Sequence, residues 1–155
     1  AGASGAVIAE LYDATPASAF TATTARLINV SVRKQIDAGA TLTAGFVIGP
    51  SGGTVARTVL VRAIGPGLAA FGVPGTMPDP KLELYSGANV IASNDNWGGD
   101  PQLAAVGTGV GAFAPRGPTT TDAILLITVA PGNYTAQATG GSGAGQVVVE
   151  VYEVP

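Results

Sequence analysis

Short apolar runs that alternate with polar residues recur along the chain, separated by clusters of Gly, Pro and Asn. Alternation with a period of two places one set of side chains in a core and the other set in solvent, which is typical of β-strands. Several such runs bounded by turn residues predict an all-β antiparallel sandwich or barrel. The predicted strands lie near residues 6–12, 26–33, 41–49, 57–64, 81–86, 89–93, 123–129, 133–139 and 146–154.

The residues between these runs predict how the strands are joined. Residues 50–53, 86–89 and 130–133 each combine Gly with Pro or Asn, so we predict a hairpin at each of them. One short helix is predicted at residues 101–107, because Pro101 suits a first helical turn and the preceding aspartate can cap it.

Residues 65–80 carry four prolines and four glycines. They predict either a crossover between two packed β lobes or a structured loop on one jelly-roll-like sandwich. We favour the loop, because its four large apolar residues would be costly to leave in water. These residues are Leu68, Phe71, Val73 and Met77.

One strand pattern occurs twice. Residues 5–13 read GAVIAELYD and residues 145–153 read GQVVVEVYE, with four of nine positions identical. In both copies one face carries the apolar alternation and the other carries Glu and Tyr. The apolar alternation consists of Val7, Ala9 and Leu11 in the first copy and of Val147, Val149 and Val151 in the second.

Two interpretations of this repeat remain open. In the first, both copies belong to one molecule as an internal duplication or a chance similarity. In the second, residues 1–13 are a strand that is exchanged with a neighbouring copy of the module. Under the second interpretation, the Thr- and Ala-rich residues 14–25 form a linker and residues 26–155 form the sandwich module. The predicted assembly strand contains Val7, Ile8, Ala9, Leu11 and Tyr12, and the equivalent C-terminal strand contains Val147, Val149, Val151 and Tyr152.

Two groups of motifs carry a family resemblance. The first is LELY at 82–85, VIASNDNW at 90–97 and ILLITVAPGNYT at 124–135. These motifs resemble the bacterial pre-peptidase C-terminal domain, a β-sandwich accessory domain of secreted proteins. The second is RLINVS at 26–31, VLVRAIGP at 59–66 and EVY at 150–152. It resembles a poorly characterised module found singly or in tandem in large secreted bacterial proteins. The resemblance implies a secreted β-sandwich and no particular activity.

Composition and charge argue against two kinds of partner, nucleic acids and membranes. Charged residues make up only 11% of the chain, the net charge is −3 and the basic residues are scattered, so we expect no nucleic-acid partner. No apolar run approaches the length of about 18 residues that would span a bilayer, so we expect no membrane insertion. The small residues that begin the sequence are typical of the site left by a signal peptidase, and we expect an extracellular location.

The chain contains no His and no Cys, so neither a Ser-His-Asp nor a Cys-His catalytic apparatus can be assembled. We therefore expect a protein that is not an enzyme. A carboxylate pair of the glycosidase type remains formally open. Its candidate members are Asp79, Glu83, Asp95, Asp100 and Asp122.

The sequence NDN followed by Asp offers closely spaced oxygen ligands for Ca²⁺. These residues are Asn94, Asp95, Asn96 and Asp100. The alternative, which we favour, is a turn in which the same side chains cap their own backbone. No cofactor is therefore expected.

These observations favour a secreted structural subunit that self-assembles into an extracellular filament, with the first strand of one copy completing the sheet of the next. Its partner would be a second copy of the chain. The alternative is a monomeric secreted accessory module that binds Ca²⁺ or carbohydrate.

Overall fold

β-Branched and aliphatic residues fill the strands, because such side chains pack well on a pleated surface. The computed structural model describes residues 5, 7–19, 21, 23–49, 55–141 and 143–155. Within these residues, eight strands form two four-stranded antiparallel sheets. The strands are β1 (Asn29–Ile36), β2 (Thr41–Ile48), β3 (Arg57–Ile64), β4 (Lys81–Ser86), β5 (Asn89–Asn94), β6 (Ala123–Val129), β7 (Gly132–Thr139) and β8 (Gly145–Val154).

The first sheet has the strand order β1-β8-β3-β6 and the second has the order β2-β7-β4-β5. In this arrangement β1 pairs with β8, β2 with β7, β3 with β6 and β4 with β5, always antiparallel. Such nested pairing is the topology of a jelly roll, so the predicted all-β sandwich is confirmed. One apolar core between the sheets draws on both of them, and the chain forms one sandwich rather than two lobes.

A second apolar cluster covers the outer face of the first sheet. It is built from outward-facing residues of β3, β6 and β8 and from the loops that cross them. The predicted structured loop is one of these, with a 3₁₀ helix at Pro66–Phe71 and with Leu68 and Met77 buried. Phe71, which was expected to pack inward, is 61% exposed. The central strands β3 and β8 are therefore buried on both faces.

The predicted short helix is present as α1 (Pro101–Gly109). The Asp100 carboxylate accepts a hydrogen bond from the Gln102 N–H at 2.7 Å, which satisfies one of the free N–H groups of the first turn. None of the helices in the described ranges is long and apolar enough to cross a membrane.

Two of the predicted hairpins are wrong. The turn at residues 86–89 does join the paired strands β4 and β5, but residues 130–133 carry the chain from one sheet to the other. Residues 50–53 lie outside the described residues, and the strands on either side of them again belong to different sheets. A tight reversal and a short step across the sandwich need the same turn residues, so the sequence does not distinguish them.

Two strand boundaries also differ from the prediction. The strand expected at residues 26–33 begins at Asn29 and continues to Ile36. The strand expected near residues 6–12 is wrong for the isolated chain, since residues 7–13 belong to neither sheet. A strand requires a hydrogen-bonded neighbour, and none of the described strands lies beside this segment.

Candidate functional site

The donor segment, residues 7–13, lies outside the sandwich and is exposed along its length. Val7 is 90% and Leu11 is 73% exposed, and Ile8 and Tyr12 are similarly uncovered. Large apolar side chains that share one exposed stretch commonly mark an interaction surface. The predicted assembly residues, including the exposed Ala9, therefore all lie in water in the isolated chain.

The equivalent residues of β8 have the opposite setting. Val147 and Val149 are 0% exposed, and Val151 is buried as well. β8 is hydrogen-bonded to β1 on one side and to β3 on the other. The apolar alternation of the C-terminal copy therefore faces the core between the sheets.

The two copies share one local interaction. The Tyr12 hydroxyl donates to the Glu10 carboxylate at 3.0 Å, and the Tyr152 hydroxyl donates to the Glu150 carboxylate at 3.1 Å. In an extended chain, residues two apart lie on the same face, so both copies can make this bond. The donor segment therefore shares one side-chain interaction with β8 although it lies outside the sheets.

The chain becomes attached to the module at Arg26. Its guanidinium donates to both carboxylate oxygens of Glu153, at 2.8 and 2.6 Å. The Glu153 N–H also donates to the Ile28 carbonyl at 2.8 Å. The hydrogen bond from Arg26 is the main cause that lowers the pKa of Glu153. The residues before this point are the predicted linker.

A buried ion pair on the outer face of the first sheet was missed by the sequence analysis. Arg62 is 1% exposed, and its Nε lies 3.2 Å from Oε2 of the Glu150 carboxylate. The Arg62 Nη1 also donates to the Phe113 carbonyl at 2.8 Å, and the guanidinium lies 4.3 Å from the centre of the Phe113 ring. Burial lowers the pKa of Arg62, while Glu150 opposes that shift. A lone Arg within the run VLVRAI indicates that a buried charge in this strand needs a partner, but it does not identify Glu150.

Asp122 anchors the loop over the same face. It is fully buried, and its Oδ1 accepts hydrogen bonds from the N–H groups of Gly65 and Gly67 at 2.9 and 3.1 Å. A side chain at Gly67 would collide with Ile64 and crowd Asp122, so glycine allows this close approach. The Asp122 carboxylate therefore holds the loop in place and is not accessible to solvent.

The other candidate carboxylates are dispersed. Glu83 accepts hydrogen bonds from Lys81 and Tyr85, which lower its pKa, and Asp100 caps α1. Only Asp79 and Asp95 line the same depression, of about 320 Å³. Burial, and then the negative charge of Asp95, raise the pKa of Asp79.

The candidate Ca²⁺ residues are largely engaged with the backbone. Asn94 donates to the Asn96 carbonyl at 3.1 Å, and its Oδ1 accepts from the Ile124 N–H at 3.0 Å. Asp100 is engaged at the helix cap, whereas Asp95 is exposed. Among the described residues, no group of three or more acidic side chains is placed to hold a metal ion.

No family profile and no curated protein matches the sequence. A similar solved structure is the pre-peptidase C-terminal domain of a collagenase from Bacillus anthracis, which is 12% identical, with 80% of this chain and 89% of that chain covered and a TM-score of 0.49. Another is a family 35 carbohydrate binding module from Clostridium thermocellum, which is 15% identical, with 80% and 70% covered and a TM-score of 0.28. The first is a member of the family that the sequence resembles.

Proposed function

We propose that the chain is a secreted structural subunit that assembles into an extracellular filament, in which the donor segment of one copy adds a strand to a sheet of the next. The observation that carries this proposal is a strand pattern like that of β8, held exposed beside a sandwich that already has two complete four-stranded sheets. The resemblance to modules of secreted bacterial proteins supports the extracellular setting.

The energetics favour capture of the segment by a sheet edge. An edge strand presents a row of unpaired N–H and C=O groups that can pair with another strand. Covering Val7 and Leu11 in a neighbour contributes roughly 1.5–3 kcal/mol each. A slip of one residue would turn Glu10 toward the neighbour's core, so the alternation selects one docking depth.

The linker allows the segment to reach another molecule. Residues 14–25 comprise 12 residues and span up to roughly 40 Å when extended. Their described part contains a short 3₁₀ turn at Ala17–Ala19, hydrogen bonds between threonines and a hydrogen bond from the Thr15 N–H to the Asp13 carboxylate, all of them local. The segment can therefore be placed well beyond its own module.

Deletion of residues 1–13 tests the proposal. We expect the deleted chain to remain folded, with an unchanged melting temperature, and to run as a monomer on size-exclusion chromatography. The full chain should form larger species that electron microscopy resolves as fibres. Leu11→Lys should prevent assembly in the same way, because it places a charge in the receiving edge.

The matched control is Ala88→Lys, which adds the same charge at the exposed turn between β4 and β5. It should leave assembly unchanged. A full chain that stays monomeric at all concentrations would contradict the proposal and favour a monomeric accessory module.

A further inference from the structure

We propose that the free edge of β1 is the acceptor of the donor segment, an inference that rests on the proposed function. The two sheets offer four edge strands, namely β1, β6, β2 and β5. The choice among them follows from the charges on these strands, the exposed apolar residues beside them and the register in which the donor segment can dock.

β1 differs from the other edge strands in charge. It carries Arg33 and Lys34, whereas β2, β5 and β6 carry no charged residue. The donor segment carries two acidic residues, Glu10 and Asp13, and no basic residue. An acidic strand therefore has one cationic edge to recognise.

The two basic residues of β1 also lack a carboxylate partner. In the described part of the chain, ion pairs engage Arg26, Arg57, Arg62 and Lys81 but neither residue of β1. Arg33 and Lys34 are both exposed. A charge on an edge strand discourages pairing with arbitrary apolar strands, and an acidic donor removes that penalty.

The charges match face by face. Arg33 shares the outer face of the first sheet with Glu150, whereas Lys34 lies at an inward position opposite the buried Val147. In the donor segment, Glu10 and Asp13 likewise lie on opposite faces because their spacing is odd. If the segment turns the same residues inward as β8 does, Glu10 joins the face of Arg33 and Asp13 joins that of Lys34.

Exposed apolar residues lie at the start of the same edge. Leu27, Ile28 and Val30 are among the large apolar side chains that the sandwich leaves uncovered. A strand docked along β1 would cover part of this surface, which strengthens the association.

One parallel register places the apolar residues beside one another and pairs one of the two acidic residues, Asp13, with Lys34, while Glu10 falls beside Ser31. A parallel strand with Leu11 beside Val32 also places Asp13 beside Lys34, and Ala9 then falls beside Val30. An antiparallel strand that pairs Glu10 with Arg33 would instead set Asp13 against Val30. An unpaired carboxylate against an apolar side chain is unfavourable. An antiparallel strand with Asp13 beside Lys34 would set Glu10 beside Asp37, so the parallel arrangement is favoured over both antiparallel ones.

The remaining edges are less suited to an acidic strand. β6 is uncharged, but the N–H of Ile124 at its start is already bonded to the Asn94 side chain. β5 pairs irregularly with β4 at Leu84 and Tyr85, so its edge is not regular. β2 has no side chain that could neutralise a carboxylate.

Cysteine cross-linking between two copies tests the assignment, since the natural chain contains no cysteine. Copies carrying Ala9→Cys are mixed with copies carrying Val30→Cys under mild oxidation and examined on a non-reducing gel. The matched acceptors are Val47→Cys on β2, Ile91→Cys on β5 and Leu126→Cys on β6. We expect a several-fold excess of the disulfide-linked dimer with Val30→Cys.

Preferential cross-linking to β2, β5 or β6 would overturn the choice of β1 while leaving strand addition intact. Absence of cross-links to all four strands, together with a monomeric wild-type chain, would overturn strand addition itself.

A charge exchange provides a second measurement. Lys34→Asp should weaken assembly several-fold, and adding Asp13→Lys to the same chain should restore it. Arg116→Asp, which changes an exposed arginine outside the sheets, is the control and should have no effect. Weakening by Lys34→Asp without rescue by Asp13→Lys would overturn the proposed register.

Discussion

Residues 7–13 and residues 147–153 carry nearly the same strand pattern in opposite surroundings. The C-terminal copy lies between β1 and β3 with its valines in the core, and the N-terminal copy lies in water. Both make the local hydrogen bond from Tyr to Glu. The two copies therefore make the same local side-chain contact, while the neighbouring strands determine whether the pattern becomes part of a sheet.

The comparison is tested most strongly by placing the same charge in each copy. Val149→Lys should destabilise the module by about 3–5 kcal/mol, because it leaves an uncompensated charge in the core. Ala9→Lys should leave the free energy of unfolding of the monomeric module unchanged. Denaturant titration followed by circular dichroism measures both, and equal losses would show that the donor segment folds back onto its own module.

A smaller effect is expected at the shared glutamate. Glu150→Gln removes the negative partner of buried Arg62 and should cost about 1.5–3 kcal/mol of stability. Glu10→Gln should cost nothing, because Glu10 is exposed and its described partner is only the neighbouring Tyr12. The same denaturant titration applies, and a stable Glu150→Gln variant would show that the ion pair contributes little.

The smallest expected effect is on the pH dependence of stability. It concerns the final residue of each copy, Asp13 and Glu153. The pKa of Glu153 is lowered in the folded chain, so its contribution is complete above its ordinary value of 4.5 and is lost as the pH falls below it. Arg26→Gln should therefore reduce stability at pH 7 and make the melting temperature less sensitive to acid. Thr15 lowers the pKa of the equivalent Asp13 within the exposed segment itself, so Asp13→Asn should leave the pH profile of the monomeric module unchanged. Identical profiles for wild type and Arg26→Gln would contradict this expectation.

The strands could be predicted because alternation marks strands such as β2 and β7, and because runs of β-branched and aliphatic residues mark β3 and β6. The sheet to which each strand belongs could not be predicted, because the turn residues at 130–133 suit a connection between the two sheets as well as a hairpin within one sheet. Arg62 and Glu150 were also out of reach as a pair, since they meet only through the long-range pairing of β3 with β8. Local sequence patterns predict the strands, whereas contacts between strands that are distant in the sequence determine which side chains meet on the outer face of the first sheet.

The attachment of the chain at Arg26, directly ahead of β1, has a mechanical consequence. In the proposed filament, tension enters one module at the beginning of β1 and leaves through the end of the donor strand docked parallel beside it. Two parallel strands pulled from opposite ends are loaded in shear, so their hydrogen bonds resist together instead of breaking one after another. The load would then pass along one edge of the sandwich, and the remaining strands would be spared the force that the fibre carries.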